Sequence, residues 1–245
     1  MDGPYLHPLA AVLYATFLGS VSSGVAKADT LLEVFREAEQ RAAGEVLGLH
    51  RCVFLGYPDG FLEEGPELRG HVVRLIRTLK PDIVITWDGF RASFNHTDHR
   101  VVGRVVRDAL FPAAHDPHYY SDLTRAGIGP WRTAEALLAA TDSADVHVDI
   151  GPYLDRKADA IFCHTSQITA KSRDEVLENM RKWGKANKER RTETGYIYAE
   201  SFKRIEFRRP PGAPGTPLPA DAKVVQAEGG APAKRRKAMV AEAKR

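Results

Sequence analysis

A short apolar run, Asp82-Ile83-Val84-Ile85-Thr86-Trp87, is followed shortly afterwards by Asn95-His96-Thr97-Asp98-His99-Arg100. Its length and its β-branched content read as a strand. From Asp98 to about Leu110, the residues Val101, Val102, Val105, Val106 and Ala109 recur at helical spacing and form an inward stripe. The two histidines therefore fall where a strand hands over to a helix. In open α/β sheets, ligands and catalytic groups collect at that place. Two imidazoles three residues apart, with a carboxylate beside the second, can put one ring on a metal and the other beside a reacting group.

The same alternation runs through the rest of the chain. Residues 31–47 read as a helix with Leu32, Phe35, Ala38, Ala42, Ala43 and Val46 on one stripe, Asp29 or Thr30 as its cap and Gly48 as its stop. Arg51-Cys52-Val53-Phe54-Leu55 is a strand candidate, and Gly56-Tyr57-Pro58-Asp59-Gly60 a loop by composition. Pro66 opens a helix to about Leu79 with Leu68, Val72, Leu75, Ile76 and Leu79 inward. Downstream come a long polar loop over 115–130, strands over 134–140 and 146–150, and helices over 152–165 and 173–188. A closing strand lies near Tyr196-Ile197-Tyr198 and residues 202–207. This order predicts parallel βαβ units with right-handed crossovers.

The 245 residues suffice for one large α/β domain and a tail. From Arg208 onward there are nine Lys/Arg and three Asp/Glu, a net +6, so the remainder of the chain, whose total is +3, carries −3. The basic balance thus belongs to the tail and implies no nucleic-acid groove in the body. The tail is Pro/Ala/Gly/Lys-rich without apolar periodicity, and its cluster Lys234-Arg235-Arg236-Lys237 lacks interleaved aromatics, so it reads as a disordered, solvated extension. Neither Cys52 nor Cys163 belongs to a C-x-x-C pair, which argues against a thiolate zinc site. No apolar run is long enough to span a bilayer. Residues 9–18 imitate a secretory segment, but Met1-Asp2-Gly3-Pro4 supplies no positive charge, so a cytoplasmic protein is expected.

Several stretches, in this order and spacing, resemble the PIG-L/LmbE family of zinc-dependent N-deacetylases. They are Arg36-Glu37-Ala38-Glu39 with Ala42, Ala43, Leu47 and Gly48, then Phe54-Leu55-Gly56-Tyr57-Pro58-Asp59-Gly60, then Pro81 to Thr86 and His96-Thr97-Asp98-His99-Arg100. His164-Thr165-Ser166-Gln167 and Ala199-Glu200-Ser201-Phe202 follow. The resemblance implies a Rossmann-like three-layer sandwich with a mostly parallel sheet, here with an atypical N-terminal strand region. It divides the chain into an atypical segment 1–30, a deacetylase-like domain 31–208 and the basic tail 209–245. It also implies zinc as cofactor and, as substrate, a small-molecule amino-sugar conjugate of the N-acetylglucosamine type. By resemblance His99 is a zinc ligand, His96 stabilises the oxyanion, Asp98 orients His96, and Arg36 and Asp59 reach the substrate. Zinc suits such chemistry because it polarises the amide carbonyl and lowers the pKa of bound water from 15.7 to about 7.

The family's other half-site, an N-terminal His-Pro-Asp-Asp segment, has no counterpart here. The His-Pro near the start is His7-Pro8, followed by Leu9-Ala10. A catalytic zinc keeps three protein ligands, and this reading names one. Two expectations compete. A frameshift or wrong start has replaced the first β-α-β segment of a deacetylase, or the chain is a sugar-binding relative that has lost its metal site and hydrolysis.

Each residue also has an ordinary explanation. His96 and His99 can be helix-start residues, and Asp98 can complement the helix dipole for about 0.3–1 kcal/mol. Asp59 can simply serve its turn, and Arg36 can be a surface arginine. His164 fits packing at a pocket edge better than metal binding. His115 and His118 are weak candidates for extra ligands in a loop placed to cover a site.

Overall fold

Pro66 and Lys80 bracket one helix for opposite reasons. Proline's fixed φ suits a first helical turn, and Lys80 leaves the helix left-handed (φ 53°) while its N–H donates to Ile76 O at 2.8 Å. The computed structural model describes residues 26–93, 96–183, 185, 188–207 and 222–224. Its helices are α1 (Ala26–Leu47), α2 (Pro66–Leu79), α3 (Thr97–Asp108), α4 (Ser121–Arg125), α5 (Leu154–Phe162), α6 (Arg173–Trp183) and α7 (Lys188–Thr194). Its strands are β1 (Ile83–Trp87), β2 (Glu135–Ala139), β3 (Val146–Asp149), β4 (Ala199–Glu206) and β5 (Ala222–Val224). No helix among the described residues is long and apolar enough to cross a membrane.

The strands form one sheet in the order β1-β2-β4-β3-β5. Only β1 and β2 pair in parallel, with Trp87 opposite Ala139; the other three pairings among the described residues are antiparallel. The expected mostly parallel sheet is thus corrected to a mixed one. The cause is β4, which returns between β2 and β3. Its second half pairs with β2 (Lys203 opposite Leu138) and its first half with β3 (Phe202 opposite Val146). β3 therefore runs in the same direction as β2 but lies on the opposite edge of β4 and is displaced along it, so the two are not hydrogen-bonded neighbours. The short link 140–145 is enough for that, whereas a parallel neighbour needs a crossover of a dozen residues or more. β5 falls inside the stretch expected to be a disordered tail. Residues 208–221 and 225–245, with the Lys234 to Lys237 cluster, lie outside the described residues, as do residues 1–25 and His7.

Alternation along β1 and β2 sends Val84, Ala136 and Leu138 to one face. There they pack with Leu68, Val72, Val73 and Ile76 of α2 and with Val102, Val105 and Val106 of α3. Ile83, Ile85 and Leu137 point the other way, toward Val146 and Phe202. Leu154, Ala158, Val176 and Leu177 make a separate cluster between α5 and α6, and α1 packs on α5.

Three local expectations change. Helix α1 starts earlier than residue 31 and runs through Asp29 and Thr30, so neither caps it. Its buried contact is Ala43 and Gly44, while Phe35, Ala38 and Ala42 are exposed; Gly48 (φ 76°) ends it as read. The Arg51 to Leu55 segment forms no strand, since it pairs with none of the described strands. The polar loop over 115–130 is ordered around Arg77, which is 1% exposed. Arg77 Nη2 donates to Ala113 O (3.0 Å), Asp116 O (2.9 Å) and Tyr119 O (2.8 Å), and Nε to Ala114 O (3.0 Å). A buried guanidinium is tolerable where carbonyls surround it in this way. Burial holds its pKa below the ordinary arginine value, against the opposing pull of Asp122 and Asp116.

Candidate functional site

The carboxyl end of β1 delivers the histidines because α3 comes unusually close to it. Gly103 of α3 faces Gly89 and Trp87: a Cβ added at Gly103 would lie 2.5 Å from Gly89 N and 2.5 Å from Trp87 O. With backbone against backbone, the first turn of α3 sits on the strand end. The His99 ring then stacks on the Trp87 indole, with centroids 3.8 Å apart and planes at 6°. The His96 ring stands 5.4 Å from that of His99 at 52°.

His96 is the N-cap of α3, and its Nδ1 accepts from Asp98 N at 3.2 Å. In a neutral ring an accepting Nδ1 leaves the proton on Nε2, so this hydrogen bond assigns the tautomer and makes Nε2 a donor. Asp98 is fully buried (0% exposed). Its Oδ2 accepts from Gly60 N at 2.6 Å and its Oδ1 from Leu62 N at 3.3 Å. The carboxylate therefore holds the loop after Asp59, and its residue meets His96 through the backbone amide. Glu64 pairs with Arg104 at 2.9 Å and ties the same loop to α3 a second time.

Asp59, at the head of that loop, pairs with Arg36 of α1 at 3.6 Å, both side chains being largely buried. Arg36 and Asp59 are thus linked to Asp98, His96 and His99 through the loop after Asp59, whose Gly60 and Leu62 amides Asp98 holds. One turn beyond Arg36, Glu39 accepts from Thr165 Oγ1 (2.9 Å), Ser166 N (2.7 Å) and Ser166 Oγ (2.7 Å). Burial pushes the Glu39 carboxyl up, but those hydrogen bonds outweigh it and hold the group below its ordinary value. Burial lowers the pKa of the neighbouring His164, against Glu39, and its Nδ1 is buried with no hydrogen-bond partner. His115 stacks on Phe111 and His118 is exposed, both in the segment organised by Arg77.

Among the described residues no group of three or more His, Cys, Asp or Glu is arranged to hold a metal ion. His96 and His99 are two imidazoles, and both oxygens of Asp98 are taken by amides. The described donors therefore do not fit a three-ligand zinc centre.

Sequence reasoning missed a network at the tips of β1 and β2. Asp88 N donates to Ala139 O (2.9 Å), and Thr141 Oγ1 to Asp88 Oδ2 (2.7 Å). Asp142 takes Arg91 Nε (3.1 Å) and both the hydroxyl and the amide of Ser93 (2.9 and 3.3 Å). Ordinary loop residues about fifty positions apart carry no sequence signal. Only the β1–β2 pairing brings them together.

The PIG-L family, described as GlcNAc-PI de-N-acetylase, matches residues 9–110, a region that begins ahead of Leu31, where the motif resemblance starts. The chain is 29% identical over 137 residues to the diacetylchitobiose deacetylase of Thermococcus kodakarensis, covering 56% of this chain and 51% of that protein. It is 30% identical over 149 residues to a probable N-acetyl-alpha-D-glucosaminyl L-malate deacetylase 2 of Bacillus anthracis, covering 57% and 59%. The chain thus spans between half and three fifths of the length of these curated relatives. The fold is similar to that of the N,N'-diacetylchitobiose deacetylase of Pyrococcus horikoshii (TM-score 0.64, 22% identity, 77% of this chain and 69% of that one). It is also similar to that of the 4-carboxy-2-hydroxymuconate hydratase of Pseudomonas putida KT2440 (TM-score 0.57, 16% identity, 77% and 78%). A deacetylase and a hydratase share the architecture, so the fold alone does not select the reaction.

Proposed function

We infer that this chain, a protein of the PIG-L/LmbE type by its family match and its relatives, recognises an N-acetylated amino-sugar conjugate and hydrolyses its acetamide to acetate and the free amine. The observation that carries this reading is the link from the Arg36–Asp59 pair, through the Asp98-held loop, to the His96–His99 edge. An arginine–carboxylate pair offers both donors and acceptors, which suits vicinal sugar hydroxyls. His96, with Nδ1 committed to the helix cap, keeps Nε2–H as the donor of its neutral ring. Such a donor suits the charge that develops on an amide oxygen under attack. Asp98 keeps the sugar-facing loop in register with the histidines, a matter of orientation rather than chemistry. The relatives named above support the substrate class. Because the described donors do not complete a zinc centre, no step is assigned to a metal.

That same shortfall favours a second reading, a sugar-binding relative without turnover. Metal analysis of the purified full chain, acetate release from an N-acetylglucosaminide, and calorimetric sugar binding separate the two. Acetate release with roughly one zinc per chain supports the hydrolase. Metal-free protein that binds the sugar without acetate release supports the second reading. A chain that neither binds nor hydrolyses the sugar refutes both.

A further inference from the structure

We propose that Asp142 is a positioning residue for the His96 site, acting through Ser93 and Arg91. Asp142 lies just beyond β2, whose last residue, Ala139, pairs with Trp87 at the end of β1. Its Oδ1 accepts from Arg91 Nε at 3.1 Å, its Oδ2 from Ser93 N at 3.3 Å, and Ser93 Oγ lies 2.9 and 3.0 Å from the two oxygens. Arg91 also donates to Ser93 Oγ, which closes the cluster. Behind it, Asp88 holds Thr141 Oγ1 and Phe90 N. The segment 88–93, which leads from β1 toward His96, is thus fastened at both ends to the segment that follows β2.

The chemistry argues for geometry rather than stability. Asp142 is exposed, and exposed ion pairs contribute little to folding. Yet one carboxylate takes both donors of Ser93, its amide and its hydroxyl, and those bonds hold its pKa below the ordinary carboxylate value, the Ser93 hydroxyl first and Arg91 after it. Holding residues 88–93 by several hydrogen bonds limits where the chain can enter α3 at Thr97, four residues beyond Ser93. The start of α3 sets the His96 cap and the reach of Asp98 to Gly60 and Leu62. Displacement of such a start by a fraction of an ångström is enough to weaken catalysis.

The inference rests on the His96 reading only for its kinetic readout, and the test separates the two. Asp142→Ala, Asp142→Asn and Ser93→Ala are made in the full chain. The melting temperature should stay within about 2 °C of wild type. Amide exchange at Gly60 and Leu62 should rise about tenfold in Asp142→Ala. Asp142→Asn, which keeps an acceptor for Ser93, should fall between the two. If wild type releases acetate, kcat should drop about tenfold in Asp142→Ala with KM within about twofold. Unchanged exchange at Gly60 and Leu62, or a fall in melting temperature of about 5 °C or more with exchange rising throughout, overturns the proposal. A wild type without acetate release removes the hydrolase reading alone, and the exchange data still decide.

Discussion

Glycine-to-alanine changes inside three helices separate helix propensity from steric fit. Gly44 lies in α1, Gly70 in α2 and Gly103 in α3. Alanine stabilises a helix interior by about 1 kcal/mol at each, so the obstacle decides the outcome. At Gly44 a new Cβ meets Cys52 Sγ at 3.0 Å, the end of a side chain that can turn away. At Gly70 it meets Tyr120 Cε1 at 2.9 Å, on a ring held by Arg69 Nε (3.0 Å) and by its own bond to Pro66 O (2.8 Å). At Gly103 it meets Gly89 N and Trp87 O at 2.5 Å, which are backbone atoms. Relief there requires α3 to withdraw by nearly 1 Å, the shortfall from an ordinary contact of about 3.4 Å, at the upper end of the 1–3 kcal/mol range for overpacking. It also loosens Val102, Val105 and Val106 on Val84, which adds on the order of 1 kcal/mol. Subtracting the propensity gain, Gly103→Ala should destabilise by about 2–3 kcal/mol and Gly70→Ala by about 1 kcal/mol, while Gly44→Ala should be neutral or stabilising by up to about 1 kcal/mol. Urea unfolding of the full chain, read as midpoints at a common slope, gives the order directly. A Gly103→Ala chain as stable as Gly44→Ala would refute the claim that backbone contact fixes α3 on the strand end.

Arg77→Met should cost about 3–5 kcal/mol, because it strands the carbonyls of the 113–119 segment. Arg77→Lys should recover only part of this, since an ammonium lacks the fork that meets four carbonyls; thermal unfolding of the three chains checks it. Asp98→Ala should destabilise by about 2–4 kcal/mol, as two buried amides lose a charged acceptor; a change under about 0.5 kcal/mol would contradict the geometry. His164 is held neutral by burial, so its folded pKa is depressed below the ordinary 6.5. The unfolded chain then binds more protons as pH falls through 6.5, and stability declines with it. His164→Gln should flatten that part of the stability–pH curve, and an unchanged curve would remove His164 as a contributor.

Elements with a strong local signal were legible. The Pro66 start, the Gly48 stop and the valine stripe of α3 all depend on residues within one or two turns. What failed depended on partners far away in sequence. Arg51 to Leu55 has strand composition, but a strand exists only through a neighbour's hydrogen bonds. The presence of β1, β2 and β3 is legible from their local composition, whereas the insertion of β4 between β2 and β3 is not, and it turned the expected parallel sheet into a mixed one. Arg77 follows Ile76 of the α2 stripe, and nothing in the local pattern marks it for burial. Its burial becomes intelligible only with the 113–119 carbonyls around it.

The site divides in the same way. Residue types and spacing singled out His96, Asp98 and His99, and the family resemblance Arg36 and Asp59; in the folded chain Arg36 pairs with Asp59, and Asp98, beside the His96 and His99 rings, holds the loop that follows Asp59. What type and spacing could not give is which atom serves which partner. A carboxylate two residues from an imidazole suggests a side-chain pair. In the folded chain the amide of that aspartate caps into the imidazole, and its carboxylate reaches Gly60 and Leu62 instead. The tautomer of His96 is therefore set by the first turn of α3. It follows that the donor on Nε2 survives any change at Asp98 that leaves the helix start in place, while the Arg36–Asp59 side of the site is loosened, because Gly60 and Leu62 lose their acceptor and the loop keeps only its tie through Glu64 and Arg104.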